Sequence, residues 1–152
     1  LAMLLLYNDL FCKWITNSLV SSHNKKSYLC FFIKKELMPV RIVFLDDEPL
    51  ICECFVEQFS EQGIDIEAFT QADEAMAAIN ARHPDLIFLD YRMPGVRGDL
   101  LAKQMPSDIP KYLITGELEA KPEYPFIEIL PKPFDNVRMN EIIQVCKNKK
   151  AE

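Results

Sequence analysis

Two apolar runs, Ile42-Val43-Phe44-Leu45 and Leu86-Ile87-Phe88-Leu89, end in acids: Asp46-Asp47 follows the first and Asp90 the second. Two further runs end in other reactive residues. Tyr112-Leu113-Ile114 leads into Thr115-Gly116, and Ile127-Glu128-Ile129-Leu130-Pro131 leads into Lys132-Pro133-Phe134. Three carboxylates brought close together repel one another, and a divalent cation between them removes much of that cost. Oxygen ligands without clustered His or Cys favour magnesium over zinc. With the metal bound, a carboxylate oxygen of Asp90 can attack phosphorus and give an acyl phosphate. The Lys132 ammonium, the Thr115 hydroxyl and nearby backbone N–H groups then suit the charge developing on the phosphoryl oxygens. Gly116 leaves room beside that group, and Pro133 restricts Lys132 to extended geometry that aims its ammonium at the same rim.

These side chains cooperate only if the fold gathers them. The pattern predicts a strand over 40–45, then a helix opened by Pro49 at its first position, running to about Gln62 and stopped by Gly63. A half-exposed edge strand follows over 64–68. Thr70 is suited to cap a helix with Ala72, Ala75, Met76 and Ile79 on one side, ended by Pro84. Leu86–Leu89 has no alternation, as in a central strand covered on both faces. Gly98-Asp99 introduces a short helix over 100–105, stopped by Pro106. Strands follow over 112–114 and 127–130. A last helix from about Asn136 carries Met139, Ile142, Ile143 and Cys146 on one side, and Lys147, Lys149 and Lys150 complement its negative end. Strand–helix alternation predicts a mostly parallel sheet with helices on both faces. Ligands of such sheets sit at the carboxyl ends of the strands, where Asp46, Asp47, Asp90, Thr115 and Lys132 all fall.

At 152 residues, 49% hydrophobic and 26% charged, the chain suits one globular domain with a sizeable core. Its net charge of −6 is uneven: residues 1–37 hold five Lys/Arg against two Asp/Glu, and the remainder twelve against twenty-one. That acidic remainder disfavours nucleic acid as a direct partner. Five cysteines, Cys12, Cys30, Cys52, Cys54 and Cys146, are odd in number and form no framework, which points to a reducing cytoplasmic setting and ordinary, partly buried thiols. Cys52 and Cys54 lack the two-residue gap of metal or redox pairs and point apart on a helix. The apolar stretch at Leu1–Leu6 is broken by Asn8, Asp9 and Lys13, well short of the roughly 20 apolar residues of a membrane span. It lacks the order of a secretory signal. Met38-Pro39-Val40 directly precedes the first strand, so residues 1–37 are expected to be a non-native, disordered or amphipathic extension and residues 38–152 the folded domain. The rival is a real amphipathic segment that docks on a membrane surface or partner.

Phe44-Leu45-Asp46-Asp47-Glu48-Pro49, Asp90-x-x-Met93-Pro94-x-x-x-Gly98, Thr115-Gly116 and Lys132-Pro133-Phe134, in that order, resemble the receiver domain of two-component response regulators over about Val40 to Lys147. The resemblance is to the single-domain, chemotaxis-regulator type. It implies a flavodoxin-like, doubly wound α/β fold with a five-stranded parallel sheet of order 2-1-3-4-5 and helices on both faces. It further implies Asp90 as phosphoacceptor and Mg²⁺ as cofactor. Asp47 would be a direct ligand, Asp46 would hold the ion partly through water, and the Arg92 backbone carbonyl would be the third protein ligand. Thr115 and Lys132 would contact the phosphoryl oxygens. A histidine kinase or histidine phosphotransfer protein would supply the phosphoryl group, and the receiver would catalyse its transfer and later hydrolysis without turning over an external substrate. A chain closing at Glu152, just after the last helix, reads as a stand-alone receiver signalling by protein contact or phosphorelay.

Two departures modify that expectation. The intervals from Asp90 to Thr115 and from Thr115 to Lys132, 25 and 17 residues, are short for receivers, and Pro122 and Pro125 leave room for one or two helical turns. The fourth helix is therefore expected to be shortened or lost. Ile129 stands three residues before Lys132, where receivers commonly carry a Tyr or Phe that follows the movement of the Thr. The readout is thus expected to be small or relocated. Taken singly, Asp46, Asp47 or Glu48 could merely cap the helix at Pro49, and Arg92 and Arg97 read as solvated. Alternatives are a phosphorylation-independent interaction module of receiver fold, and a metal-dependent phosphohydrolase. The complete acid, Thr and Lys set disfavours the first. Arg92, where such hydrolases place a second acid after the nucleophile, disfavours the second.

Overall fold

The computed structural model describes residues 38–117 and 119–151. The expectations for residues 1–37 lie outside the described residues. Apart from two short strands after Asp90, the chain alternates from Val40 as the sequence predicts: β1 (Val40–Leu45), α1 (Pro49–Phe59), β2 (Ile64–Phe69), α2 (Ala72–Ala81), β3 (Leu86–Asp90), β4 (Arg92–Met93), β5 (Val96–Arg97), α3 (Gly98–Ala102), β6 (Lys111–Thr115), β7 (Glu128–Pro131) and α4 (Asn136–Ala151). Five strands form one parallel sheet of order β2-β1-β3-β6-β7, with β4 and β5 a separate antiparallel hairpin. Counting the strands of the large sheet alone, this is the order 2-1-3-4-5.

Alternate side chains on the central strands feed two apolar layers. Ile42, Phe44, Leu86, Phe88, Ile114 and Leu130 pack with Phe55 and Phe59 of α1 and Met139, Ile142 and Ile143 of α4. Val43, Leu45, Ile87, Leu89 and Leu113 face the other way, onto Ala75 and Ile79 of α2 and Leu101 and Ala102 of α3. Helices on both faces are why β1 and β3 are apolar at nearly every position. Phe55 anchors the first layer: its ring lies 4.0 Å from Phe44, 5.6 Å from Phe88 and 6.0 Å from Phe134. Phe134, two residues after Lys132, thereby ties the segment following β7 to α1. The pairings Phe44↔Phe88, Asp90↔Ile114 and Thr115↔Pro131 bring the strand ends level.

Several boundaries differ from the sequence reading. Helix α1 ends at Phe59, where the Ser60 N–H bonds the Val56 carbonyl, three residues before Gln62. Thr70 does not cap α2; Gln71 holds that position and makes no side-chain cap bond. Helix α3 starts two residues early, at Gly98. Cys54 is exposed rather than partly buried, while Cys52 is buried, consistent with their pointing apart. No helix occurs among the described residues between β6 and β7, so the contraction read from the 17-residue interval removes the fourth helix. Among the described residues no helix is long and apolar enough to cross a membrane.

Candidate functional site

Each predicted site residue stands at the carboxyl end of a sheet strand or just beyond it. Asp46 and Asp47 follow β1, Asp90 and Thr115 are the last residues of β3 and β6, and Lys132 follows β7. Asp46, Asp90 and Thr115 are buried polar groups, at 0%, 4% and 5% exposure. The Lys132 ammonium joins the two acids, 2.7 Å from Asp46 Oδ2 and 2.6 Å from Asp90 Oδ1. Backbone groups fix the remaining carboxylate oxygens. Asp46 Oδ1 accepts the Glu48 N–H at 3.1 Å, which makes the turn into α1, and Asp90 Oδ2 accepts the Arg92 N–H at 2.7 Å. Thr115 Oγ1 accepts the Glu117 N–H at 3.0 Å, and the Lys132 N–H donates to the Thr115 carbonyl at 2.8 Å.

Burial raises the Asp90 carboxyl above its ordinary pKa, and the Lys132 ammonium offsets this only in part. Burial acts against the charge on Lys132 too, but Asp46 and Asp90 outweigh it, and the ammonium is held more firmly than a free lysine. Burial also pushes the Cys52 thiol up to about 11; its Sγ–H donates to the Asp46 carbonyl at 3.3 Å.

Asp47 is half-buried and, among the described residues, takes no side-chain hydrogen bond or ion pair. Arg92 opens β4, so its backbone lies next to Asp90. Among the described residues no group of three His, Cys, Asp or Glu side chains is drawn together as a metal cage. The donors nevertheless suit a hard cation. Asp46 Oδ2 is fully buried and accepts no hydrogen bond of normal geometry, although the ammonium is 2.7 Å away. An all-oxygen set whose buried Asp46 Oδ2 has only the ammonium beside it fits Mg²⁺.

Three features of the site escaped the sequence reading. Gly98 is more than a turn residue: a Cβ there would overlap the Asp90 carbonyl oxygen, and its N–H donates to the Tyr91 carbonyl at 3.0 Å. Arg92 and Arg97 are not simply solvated. They lie 5.3 and 5.5 Å from the centroid of the buried Tyr91 ring, and Arg92 pairs with Glu117 while Arg97 grips the buried Asp99. The hairpin of β4 and β5 that carries them turns at Gly95, whose φ of +79° favours glycine.

The comparisons with known proteins agree with this geometry. Response regulator MprA of Mycolicibacterium vanbaalenii is 31% identical over 105 residues, covering 64% of this chain and 46% of its own length. Protein Rrf1 of Nitratidesulfovibrio vulgaris is 27% identical over 112 residues, 70% of this chain and 81% of its own. The chain thus spans less than half of the first relative. Among solved structures, the signal receiver domain of an HD domain-containing protein from Pseudomonas fluorescens superposes with a TM-score of 0.66 at 18% identity, covering 74% of this chain and 97% of that one. A CheY-like receiver domain from Methylobacillus flagellatus gives 0.63 at 23% identity, over 71% and 98%. The family model described as the response regulator receiver domain matches residues 42–144, from within β1 into α4 and across every strand end that carries the site. This chain belongs to the family of response regulator receiver domains.

Proposed function

We propose that the domain of residues 38–152, apart from an N-terminal extension of residues 1–37, accepts a phosphoryl group on Asp90 from a histidine kinase or histidine phosphotransfer protein. It signals by protein contact or by passing the phosphate on, in the cytoplasm. The observation that carries this reading is the single ammonium of Lys132 held between two buried carboxylates, 2.7 Å from Asp46 and 2.6 Å from Asp90. Such an ammonium lets a phosphate-bearing donor approach an acid that would otherwise repel it.

Asp90 attacks phosphorus through a carboxylate oxygen: the new O–P bond forms as the donor's P–N bond breaks, and the leaving imidazole keeps the electron pair. The Arg92 N–H steadies the other oxygen of the same carboxylate, and Lys132 and the Thr115 hydroxyl receive the phosphoryl oxygens. Asp46, Asp47, Asp90 and the Arg92 carbonyl are the groups that would hold Mg²⁺. Bound there, the ion would neutralise the carboxylates and the incoming phosphoryl oxygens. Hydrolysis later returns Asp90 to the carboxylate as water takes the phosphoryl group.

Intact mass after incubation with acetyl phosphate and Mg²⁺ tests this reading. A phosphoryl-sized gain that disappears in D90N supports it. No gain on a folded protein instead favours a phosphorylation-independent interaction module, for which the missing fourth helix and the exposed Ile129 speak. Phosphotransfer profiling against candidate kinases then identifies the donor.

A further inference from the structure

Asp99 stands on the first turn of α3, two residues before the buried Leu101, and its carboxylate is fully withdrawn from water. Arg97 donates to both of its oxygens, from Nε to Oδ1 at 2.9 Å and from a terminal nitrogen to Oδ2 at 2.6 Å, and the Glu123 N–H donates to Oδ2 at 2.8 Å. The phosphoryl chemistry proposed for the rim uses neither residue. Apolar side chains of similar volume serve stability about as well as a buried ion pair; what the two-pronged grip adds is a fixed direction for Arg97. That direction leads to the residues directly after Asp90. The Arg97 guanidinium carbon lies 5.5 Å from the centroid of the buried Tyr91 ring, and Arg97 stands opposite Arg92 across the β4–β5 hairpin. The Gly98 N–H donates to the Tyr91 carbonyl at 3.0 Å, so residues 97 and 98 hold this stretch by side chain and backbone together. At the hairpin's other end, Met93 and Val96 pack on the apolar layer.

We propose that Arg97 and Asp99 are positioning residues for the metal edge of the site: Asp99 locks the Arg97 side chain beside Tyr91, and the hairpin so fixed directs the Arg92 backbone carbonyl toward Mg²⁺. The inference rests on Mg²⁺ being held by Asp46, Asp47, Asp90 and that carbonyl. A main-chain ligand has no rotamer of its own to adjust, so its aim is set by the groups that hold the backbone around it. The Arg92 N–H is already committed to Asp90 Oδ2 at 2.7 Å, which fixes one side of the residue. Its side chain fixes little, because the ion pair with Glu117 is exposed and weakly held. Arg97 supplies the other side, and it cannot swing away without stranding the buried Asp99 carboxylate. Precise aim matters more for Mg²⁺, which demands near-octahedral geometry, than for Ca²⁺, which accepts irregular coordination. The Arg97–Asp99 pair therefore sets metal preference as well as affinity.

Titration of the full chain with MgCl₂ and, separately, with CaCl₂, followed by backbone amide NMR shifts and with no phosphoryl donor present, tests this role. R97M alone leaves a buried carboxylate unpaired and is liable to unfold, so the variant used is R97M/D99L, which removes both charges together. E67Q, which weakens the Arg41 pair at the amino end of β1, is the control for loss of an ion pair elsewhere. In R97M/D99L the Mg²⁺ Kd should rise by about tenfold or more, the scale on which groups that orient metal ligands act. The Ca²⁺ Kd should rise by less than about threefold, and E67Q should bind both cations as the parent does. A Mg²⁺ Kd within about twofold of the parent's in folded R97M/D99L, an equal loss for both cations, or the same Mg²⁺ loss in E67Q overturns the positioning role and leaves the metal reading intact. Absence of Mg²⁺ binding by the parent overturns both.

Discussion

Replacing Lys132 with Met removes the one ammonium that serves two buried acids and leaves a side chain of similar length. Side-chain exposure is 0% for Asp46, 5% for Asp90 and 21% for Lys132. Removing one partner of a buried pair costs about 3–5 kcal/mol, because the other is left as an uncompensated buried charge. Since a fifth of Lys132 is open to water, screening lowers the expected loss to about 2–4 kcal/mol. For a domain of this size that is a fall in Tm of roughly 10 °C. A divalent cation replaces the missing charge, so K132M should gain about 1.4 kcal/mol from Mg²⁺ at ten times its own Kd, and the parent less at the same concentration. Urea unfolding of both proteins, with and without Mg²⁺, measures each quantity. A loss below about 0.5 kcal/mol, the scale of an exposed pair, refutes the buried ion triad. So does a Mg²⁺ gain no greater in K132M than in the parent.

Other perturbations report on neighbouring features. G98A forces a methyl against the Asp90 carbonyl and should cost about 1–3 kcal/mol, with a matching fall in acetyl phosphate labelling at equal folded fraction, read by urea melts and intact mass. The pH dependence follows from two acids held below their usual range, Asp99 chiefly by its hydrogen bonds from Arg97 and Glu67 chiefly by those from Arg41. Their stabilisation is fully present above the unfolded carboxylate pKa of about 4 and is lost as pH falls through the depressed folded values. D99N should flatten the acid limb of a stability–pH profile, and an unchanged limb counts against the buried Arg97–Asp99 pair. Thiol labelling with peptide mapping at mildly alkaline pH should find Cys54 modified well before Cys52, whose buried thiol is raised to about 11.

The rim was legible because its residues terminate apolar runs whose length and lack of alternation mark buried parallel strands. Asp46, Asp90, Thr115 and Lys132 could be placed together from the sequence, as could the shortening or loss of a helix before Pro122 and Pro125. What stayed hidden depends on partners distant in sequence. Arg41, a charged residue within the first apolar strand, is 4% exposed and is paired 2.6 Å from Glu67 on the adjacent strand. Lys111 is buried with its ammonium on the Ile109 carbonyl at 2.9 Å, and Asp99 is buried on Arg97. A charged residue reveals burial only through the group that compensates it, and no local pattern carries that. The β4–β5 hairpin was missed because two-residue strands around Pro94-Gly95 have no periodicity to read. At the start of α3, Gly98 passes against the Asp90 carbonyl, a contact across eight residues that no capping rule signals.

Borohydride trapping tests the central claim most directly. An acyl phosphate on aspartate is reduced to homoserine, and tandem mass spectrometry locates the converted residue. After incubation with acetyl phosphate and Mg²⁺, homoserine should appear at position 90 alone, and it should be absent when phosphate donor is withheld. Conversion at Asp46 or Asp47 instead, or no conversion in a folded protein, would contradict Asp90 as the phosphoacceptor.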